Sequence, residues 1–325
     1  MSVAPPFSFD RARYDDTTVL GRFKNNLLIT DPRLLLLSNA QVLEQVALLR
    51  KVKEQGISSA GATNEQLWYA RRVKDSSVHP DTGEIIYRPF RMCGYVPYGT
   101  PLVLAMLLPV TANSLVLTGV SQVVNQSHNA AVNWANRSAT KGGDPKADIL
   151  RGYFSAVAAS LSIGVGSNWL VNRMPFDAAK KAAIKRWTPF PAVCCASVSN
   201  MVMMRLPELE RGITVRDDAT DKELGESKLA ARTAIQSTAI VRVGIVAGAV
   251  LLPQLLYTGC EMALKLHEPR RAAWRLPVQA FTCLFGFGLG VPVSLSCFTQ
   301  EVRVPRNQLE PEFHGEGLAR FNKGL

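Results

Sequence analysis

Residues 116–137 read VLTGVSQVVNQSHNAAVNWANR, with no charged side chain before the terminal Arg137. Gln122, Asn125, Asn129, Asn133 and Asn136 recur in it at spacings of 3, 4, 4 and 3. At about 3.6 residues per turn, these five carboxamides share one face of a helix. Val120, Val123, Val124, Ala130, Ala131 and Trp134 fill most of the remaining surface. A helix facing water would carry Lys and Glu on its polar stripe, because asparagine is a poor helix former. Against lipid, each unpaired amide would cost on the order of 1–3 kcal/mol. The stripe is therefore predicted to face protein partners, water or a polar solute within a membrane.

The stretch closes a run of 45 uncharged residues, 92–136. Uncharged runs of 21 and 25 residues follow at 152–172 and 276–300, and two of 18 at 187–204 and 243–260. About 20 mainly apolar residues cross a bilayer. The pattern predicts an all-α, multi-span membrane protein with about five transmembrane helices, near 98–120, 152–172, 187–204, 243–260 and 276–300. Residues 1–91 form a soluble helical N-terminal region, 92–300 the transmembrane domain and 301–325 a C-terminal tail. The first run leaves two options open, since as a helix it would extend about 68 Å, twice the hydrocarbon thickness. It holds either one span with a half-buried amphipathic helix, or two spans, which would put both termini on one side.

The net charge is +11, and its placement argues against nucleic acid. With five spans, the N-terminal region (+3) shares a face with loops 173–186 (+4) and 261–275 (+2). The opposite face holds 137–151 (+2), 205–242 (0) and 301–325 (0). This asymmetry of +9 against +2 predicts an N-terminus on the positive side. No RNA- or DNA-binding motif accompanies the charge. The six cysteines include no C-x-x-C pair and sit mostly in apolar runs, as small hydrophobes do in reducing or lipid surroundings. The four histidines are scattered, so no metal-ligand spacing exists, and no nucleophile–base constellation suggests an enzyme. Asn-Gln-Ser and Asn-Arg-Ser match the glycosylation pattern beside a membrane segment, where chance suffices. The first residues contain no secretory apolar core, and Asp10, Asp15 and Asp16 break the acid-free pattern of a cleaved presequence.

Within the N-terminal region, 36–53 has the apolar spacing of an amphipathic helix ended by Gly56. Thr63 and Gln66 form a capping box opening a second helix. His79, Pro80, Asp81 and Gly83 belong to a turn by composition, HPDTG. Between spans, 205–242 is the one long polar connection; its TDKELGES part reads as a turn, with a helix from Ser227 running into the fourth span. Prolines 97, 101, 109 and 253 and the GFGLGVP stretch are expected to interrupt spans. Such interruptions are tolerated where protein or a cavity satisfies the freed backbone, and transporters place substrate there.

TDPR (30–33), NEQLW (64–68), HPDTGE (79–84), the NQSHNAAVNWANR block, PFPAV, LGES and the terminal FNKGL resemble, in order, the sideroflexin family. The resemblance covers essentially the whole chain, and PFRMCGYVPYGTP with NQSHNA is most similar to its sideroflexin five branch. Trp134 stands where the family often has Tyr. The resemblance implies about five spans in the mitochondrial inner membrane, with the N-terminus on the matrix side, no cleaved presequence, and transport of serine or other small neutral amino acids; citrate is linked with the tricarboxylate-carrier name and with this branch, and no cofactor is expected. PFDAAK (175–180) fits one Pro-x-Asp-x-x-Lys repeat of the common mitochondrial carriers, which need three.

Two roles for the stripe follow. Gln122, Asn125, His128, Asn129, Asn133 and Asn136 line a solute pathway, or the amides hold helices together. Carboxamides donate and accept, which suits a zwitterion. A citrate trianion would call for Arg or Lys within the uncharged runs, where there is none. Arg91, Arg137, Arg205 and Arg242 flank the spans as candidates for pathway mouths. The partners so implied are a small solute and the lipid bilayer, with no oligomeric state specified. A membrane scaffold or assembly factor is the reading from another class.

Overall fold

The computed structural model describes residues 4–57, 61–79, 82–136 and 145–323. It is mostly helical. In the N-terminal region, α1 (Val19–Ile29) precedes α2 (Asn39–Gln55) and α3 (Asn64–Ser77). Ser38 with Gln41, and Thr63 with Gln66, form reciprocal capping boxes at the starts of α2 and α3. Gly56 ends α2 at φ +86°, a left-handed conformation that favours glycine. Phe7, Leu49, Val52, Leu67 and Trp68 form a small core beneath these helices.

The helical bundle follows: α4 (Tyr95–Leu107), the single turn α5 (Pro109–Ala112), α6 (Leu115–Ala135), α7 (Pro145–Arg173), α8 (Ala178–Trp187), α9 (Pro189–Met204) and the short α10 (Leu206–Arg211). Beyond them come α11 (Lys228–Val246), α12 (Leu252–Ala263) and α13 (Arg275–Ser296). Three helical stretches are long and apolar enough to cross a membrane: Lys146–Arg173, Lys228–Ala263 and Pro269–Ser296.

Contacts fix how these helices alternate. Asn168 donates to Thr118 Oγ1 (3.2 Å) at one end of α7, while Tyr153 meets Ser127 (3.0 Å) at the other, so α6 and α7 are antiparallel. A Cβ on Gly152 would meet Asn200 and Met204, placing the start of α7 beside the end of α9. Gln279 donates to the Leu107 carbonyl (2.8 Å) and Tyr95 stacks on Phe287 (4.7 Å), so α4 and α13 are antiparallel. Gly248 lies against Gly290 and Gly286 against Pro253, reversing α11–α12 against α13. Among the described residues the bundle thus alternates through six segments, α4, α6, α7, α9, α11–α12 and α13, of which α7, α11–α12 and α13 are long and apolar enough to cross a membrane.

The 98–120 span is thereby corrected. Pro109 has no N–H to continue α4, and Asn113 and Ser114 cap the breaks around α5. The run of 92–136 holds two antiparallel helices, and the polar ends of the chain meet at one end of the bundle. There Arg22 Nε donates to the Ser296 carbonyl (2.7 Å), joining the N-terminal region to the end of α13. This overturns the charge map that put the N-terminal region with loops 173–186 and 261–275.

The wholly helical expectation is also corrected. Strands β1 (Ile213–Asp217), β2 (Glu223–Ser227), β3 (Glu301–Pro305) and β4 (Leu318–Asn322) form an antiparallel sheet in the order β2-β1-β4-β3. ELGES is thus a strand, and only the residues before it turn. The C-terminal tail supplies two strands. Val215, Phe313 and Phe321 pack with Ala230 and Ala234 of α11, so the sheet caps the bundle. The interruptions are fewer than the prolines suggest: α13 continues through Pro292. Before Pro253, residues Ala247–Leu251 widen into a π-turn, which accommodates a proline unable to donate to the carbonyl four residues back.

Candidate functional site

The amides of α6 occupy one face, and the helix's surroundings change along it. Toward the loop end of the bundle, Gln122 is 2% exposed and Asn125 is also buried. Gln126, off the stripe, is buried beside them. Gly164 of α7 admits this approach: a Cβ there would stand 3.5 Å from Gln122 Nε2. Toward the sheet end the face opens, with Asn129 exposed and Asn133 and Asn136 half-buried. Asn133 Nδ2 points at Asn200 Oδ1 of α9 (3.5 Å). Asn136 Nδ2 bonds the Phe90 and Val132 carbonyls (both 2.8 Å), which docks the end of α6 on the preceding turn.

At the buried end of the stripe lies a small cavity lined by Met106, Thr111, Ala112, Thr118, Ser121, Gln122, Gly164, Asn168, Lys185, Thr188 and Pro189. Its walls come from α4, α5, α6, α7, α8 and α9, and its interior has room for about one water molecule. Asn168 Nδ2 is held by the Ala112 carbonyl (2.7 Å) and Thr118 Oγ1, and Thr118 itself donates to the Thr111 carbonyl (2.8 Å). Gln122 Oε1 is buried without a partner among the described residues, as is Gln126 Nε2. Such orphans are rare in folded proteins and invite a ligand or water.

The cavity corrects the expectation of a cation-free interior. Lys185, in the last turn of α8, is 6% exposed, lines the cavity and forms no ion pair among the described residues. Its sequence context, AAKKAAIKRW, reads as a solvated charged loop, and the nearby Asn168 lies in an otherwise ordinary apolar run. Neither carries a periodic signal like that of α6.

The other sequence candidates are placed as follows. The His128 ring lies beside that of Phe90 (6.1 Å between centroids). Arg91 is enclosed in the N-terminal region, donating to the Ile86 carbonyl (2.7 Å) and Asn39 Oδ1 (3.1 Å), so it stands at no mouth. Arg205 is held by Glu208 (2.6 Å), Thr238 Oγ1 (3.2 Å) and the Lys323 carbonyl (2.5 Å), tying the C-terminal strand to the bundle. Arg242 is half-buried on α11, and Arg137 lies outside the described residues. His79 and Gly83 flank a tight turn, with the Gly83 N–H donating to the His79 carbonyl (3.0 Å) and Gly83 at φ +71°. Pro80 and Asp81 of that turn lie outside the described residues.

The exterior contrasts with this interior. Val116, Val120, Val124, Phe154, Leu170, Ile240, Leu255, Phe281 and Phe285 are exposed on α6, α7, α11, α12 and α13, with Phe154 at 63% and Phe281 at 65%. A water-soluble protein rarely presents so continuous an apolar surface. A lipid environment removes the contradiction.

The family model for the sideroflexins matches residues 8–325. Human Sideroflexin-5 (Homo sapiens) is 43% identical over 328 residues, covering 100% of this chain and 94% of that protein. Sideroflexin-5 of Caenorhabditis elegans is 35% identical over 99% of this chain and 97% of its own length. Human Sideroflexin-2 is 34% identical, with 98% of each chain covered. No solved structure matches.

Proposed function

The chain belongs to the sideroflexin family, and on that premise we propose that it is a solute transporter of the mitochondrial inner membrane whose cargo is a small neutral amino acid such as serine. One observation carries the reading. From Thr118 and Asn168 at the loop end to Asn136 at the sheet end, polar side chains follow α6 for 18 residues. At about 1.5 Å per residue that track is about 27 Å long, close to the hydrocarbon thickness of a bilayer. Its Thr118–Asn125 half lies inside a bundle whose outer surface is Val, Leu and Phe, and beyond it Asn129 is exposed. Helix glue would need paired amides, each bond worth about 0.6 kcal/mol. Asn133 and Asn136 are paired in this way at the sheet end, whereas Gln122 and Gln126 hold buried orphan atoms. Donors and acceptors both line the track, the mixture a zwitterion requires.

Purified full-length protein in liposomes, tested with labelled serine, alanine and citrate, separates the readings. Serine or alanine uptake exceeding that of citrate is the expected result. Gln122→Ala and Asn125→Ala should each lower uptake about tenfold or more, with the yield of monodisperse protein unchanged. Loss of folded protein at unchanged specific uptake would assign the amides to helix packing. No uptake of any solute by well-folded protein would favour a membrane scaffold instead.

A further inference from the structure

Lys185 is 6% exposed, pairs with no carboxylate of the described residues, and lines the cavity in which Gln122 Oε1 has no donor among them. A lysine and an unpartnered amide oxygen on the wall of one cavity are complementary to a molecule carrying a carboxylate and an ammonium. Asn168 and Thr118 have spent their donors on each other and on backbone carbonyls. The charge in the enclosure therefore comes from Lys185. We propose that Lys185 is the carboxylate anchor of the transport pathway, with Gln122 Oε1 accepting from the α-ammonium of the same solute in a state of the bundle wider than this one, whose cavity holds about one water molecule, so that the site selects monocarboxylate zwitterions. The inference rests on the transport reading and deepens it.

The position explains why the chain keeps a lysine there. As the C-terminal turn of α8 carries partial negative charge, it stabilises the ammonium while the cavity is empty. A flexible four-carbon stem lets the head follow a carboxylate out of the cavity, as a fixed donor would not. One cation suits one carboxylate. A tricarboxylate would bring two further negative charges into an enclosure with no second cation among its lining residues.

The test uses full-length protein in liposomes and compares wild type with Lys185→Met, Lys185→Gln and Lys185→Arg. Lys180→Met, at the exposed start of α8, is the control for loss of charge near the membrane. Uptake of labelled serine is measured against concentration and in competition with ethanolamine, which is serine without its carboxylate. In wild type, unlabelled serine should compete far better than ethanolamine. In Lys185→Met and Lys185→Gln the KM for serine should rise about tenfold to a hundredfold. The preference over ethanolamine should fall toward one, while Lys185→Arg keeps most of it and Lys180→Met all of it. Unchanged KM and unchanged preference in the neutral variants would overturn the anchor, leaving the transport reading standing with Lys185 only a counter-charge to α8. If the neutral variants do not fold, wild type decides: equal competition by serine and ethanolamine overturns the anchor. Absence of serine uptake by well-folded wild-type protein overturns both.

Discussion

At the scale of single residues, the motifs that carry the family resemblance act mostly as ties. In TDPR, Asp31 accepts from the Arg33 N–H (3.0 Å) and guanidinium (2.7 Å), closing a turn between α1 and α2. In NEQLW, Asn64 Oδ1 accepts from the Phe7 N–H (2.9 Å) and Trp68 Nε1 donates to the Pro5 carbonyl (2.9 Å), pinning the N-terminal strand of chain. In LGES, Ser227 caps α11, and Glu310 from the tail completes the cap. The Glu310 carboxylate accepts from the Lys228 (2.7 Å) and Leu229 (2.9 Å) amides and from Ser227 Oγ (2.5 Å). Partial burial alone would raise its pKa, but the bonds from Ser227 and the two amides outweigh this and hold it below the usual carboxylate range. A depressed folded pKa stabilises the protein above the unfolded value of about 4.3 and is lost as pH falls through the folded one. Glu310→Gln should therefore cost about 1 kcal/mol near neutral pH, with the gap from wild type closing below about pH 4. Thermal unfolding in detergent, followed by tryptophan fluorescence across pH, checks this; a pH-independent gap would assign the effect to hydrogen-bond geometry. The candidate site was legible at this scale where it lay on one helix. Gln122 announces itself by period, whereas Lys185 and Asn168 reach the same cavity from other helices. Local spacing does not encode the register between helices.

At the scale of elements, the close crossing of α11–α12 and α13 is set by two glycines. A Cβ on Gly248 would collide with the Gly290 carbonyl, and one on Gly290 with that of Gly248. Without a hydrophobic drive between helices in lipid, such backbone approach is how they gain packing energy. Gly248→Val should destabilise the bundle by about 1–3 kcal/mol, as overpacking does. Gly259→Ala, where an added Cβ meets nothing within 4 Å, should be tolerated. Size-exclusion profiles after heating in detergent distinguish the two; equal tolerance would remove the crossing from the list of stabilising contacts. The long helices and the capping boxes of α2 and α3 were legible, because their signals are local: apolar period, Ser or Thr at the cap, Gly at the end. The sheet was not. Its strands are five residues long, carry charges such as Arg216, Arg303 and Arg320, and pair Arg216 with Arg320 across most of the C-terminal half of the chain. Nothing in EVRVP or LARFN alone distinguishes a paired strand from a tail.

At the scale of the whole molecule, the sequence offered five or six passes, and the two alternatives distribute the same charges differently. Five passes separate the polar regions into +9 and +2. The alternation observed here groups 1–91, 137–151, 205–242 and 301–325 at the sheet end, and the contrast falls to +5 against +6 at the loop end. The positive-inside argument for the N-terminus thus depended on taking the run as one span, and the break at Pro109–Ser114 reverses everything before it. Two contacts hold the opposite answer in place: Arg22 on the Ser296 carbonyl, and the β1–β4 pairing that brings the tail beside the 205–242 connection. Both would have to break for the termini to part. We therefore predict that protease sites engineered before α1 and after β4 are cut together or protected together in sealed vesicles carrying the full-length protein. A site in the 173–186 loop should show the opposite protection. One terminus cut while the other is protected would restore the five-span arrangement and detach the N-terminal region from α13. Agreement of all three sites would place the exposed Asn129 end of the polar track on the side of both termini, and the Lys185 cavity on the other.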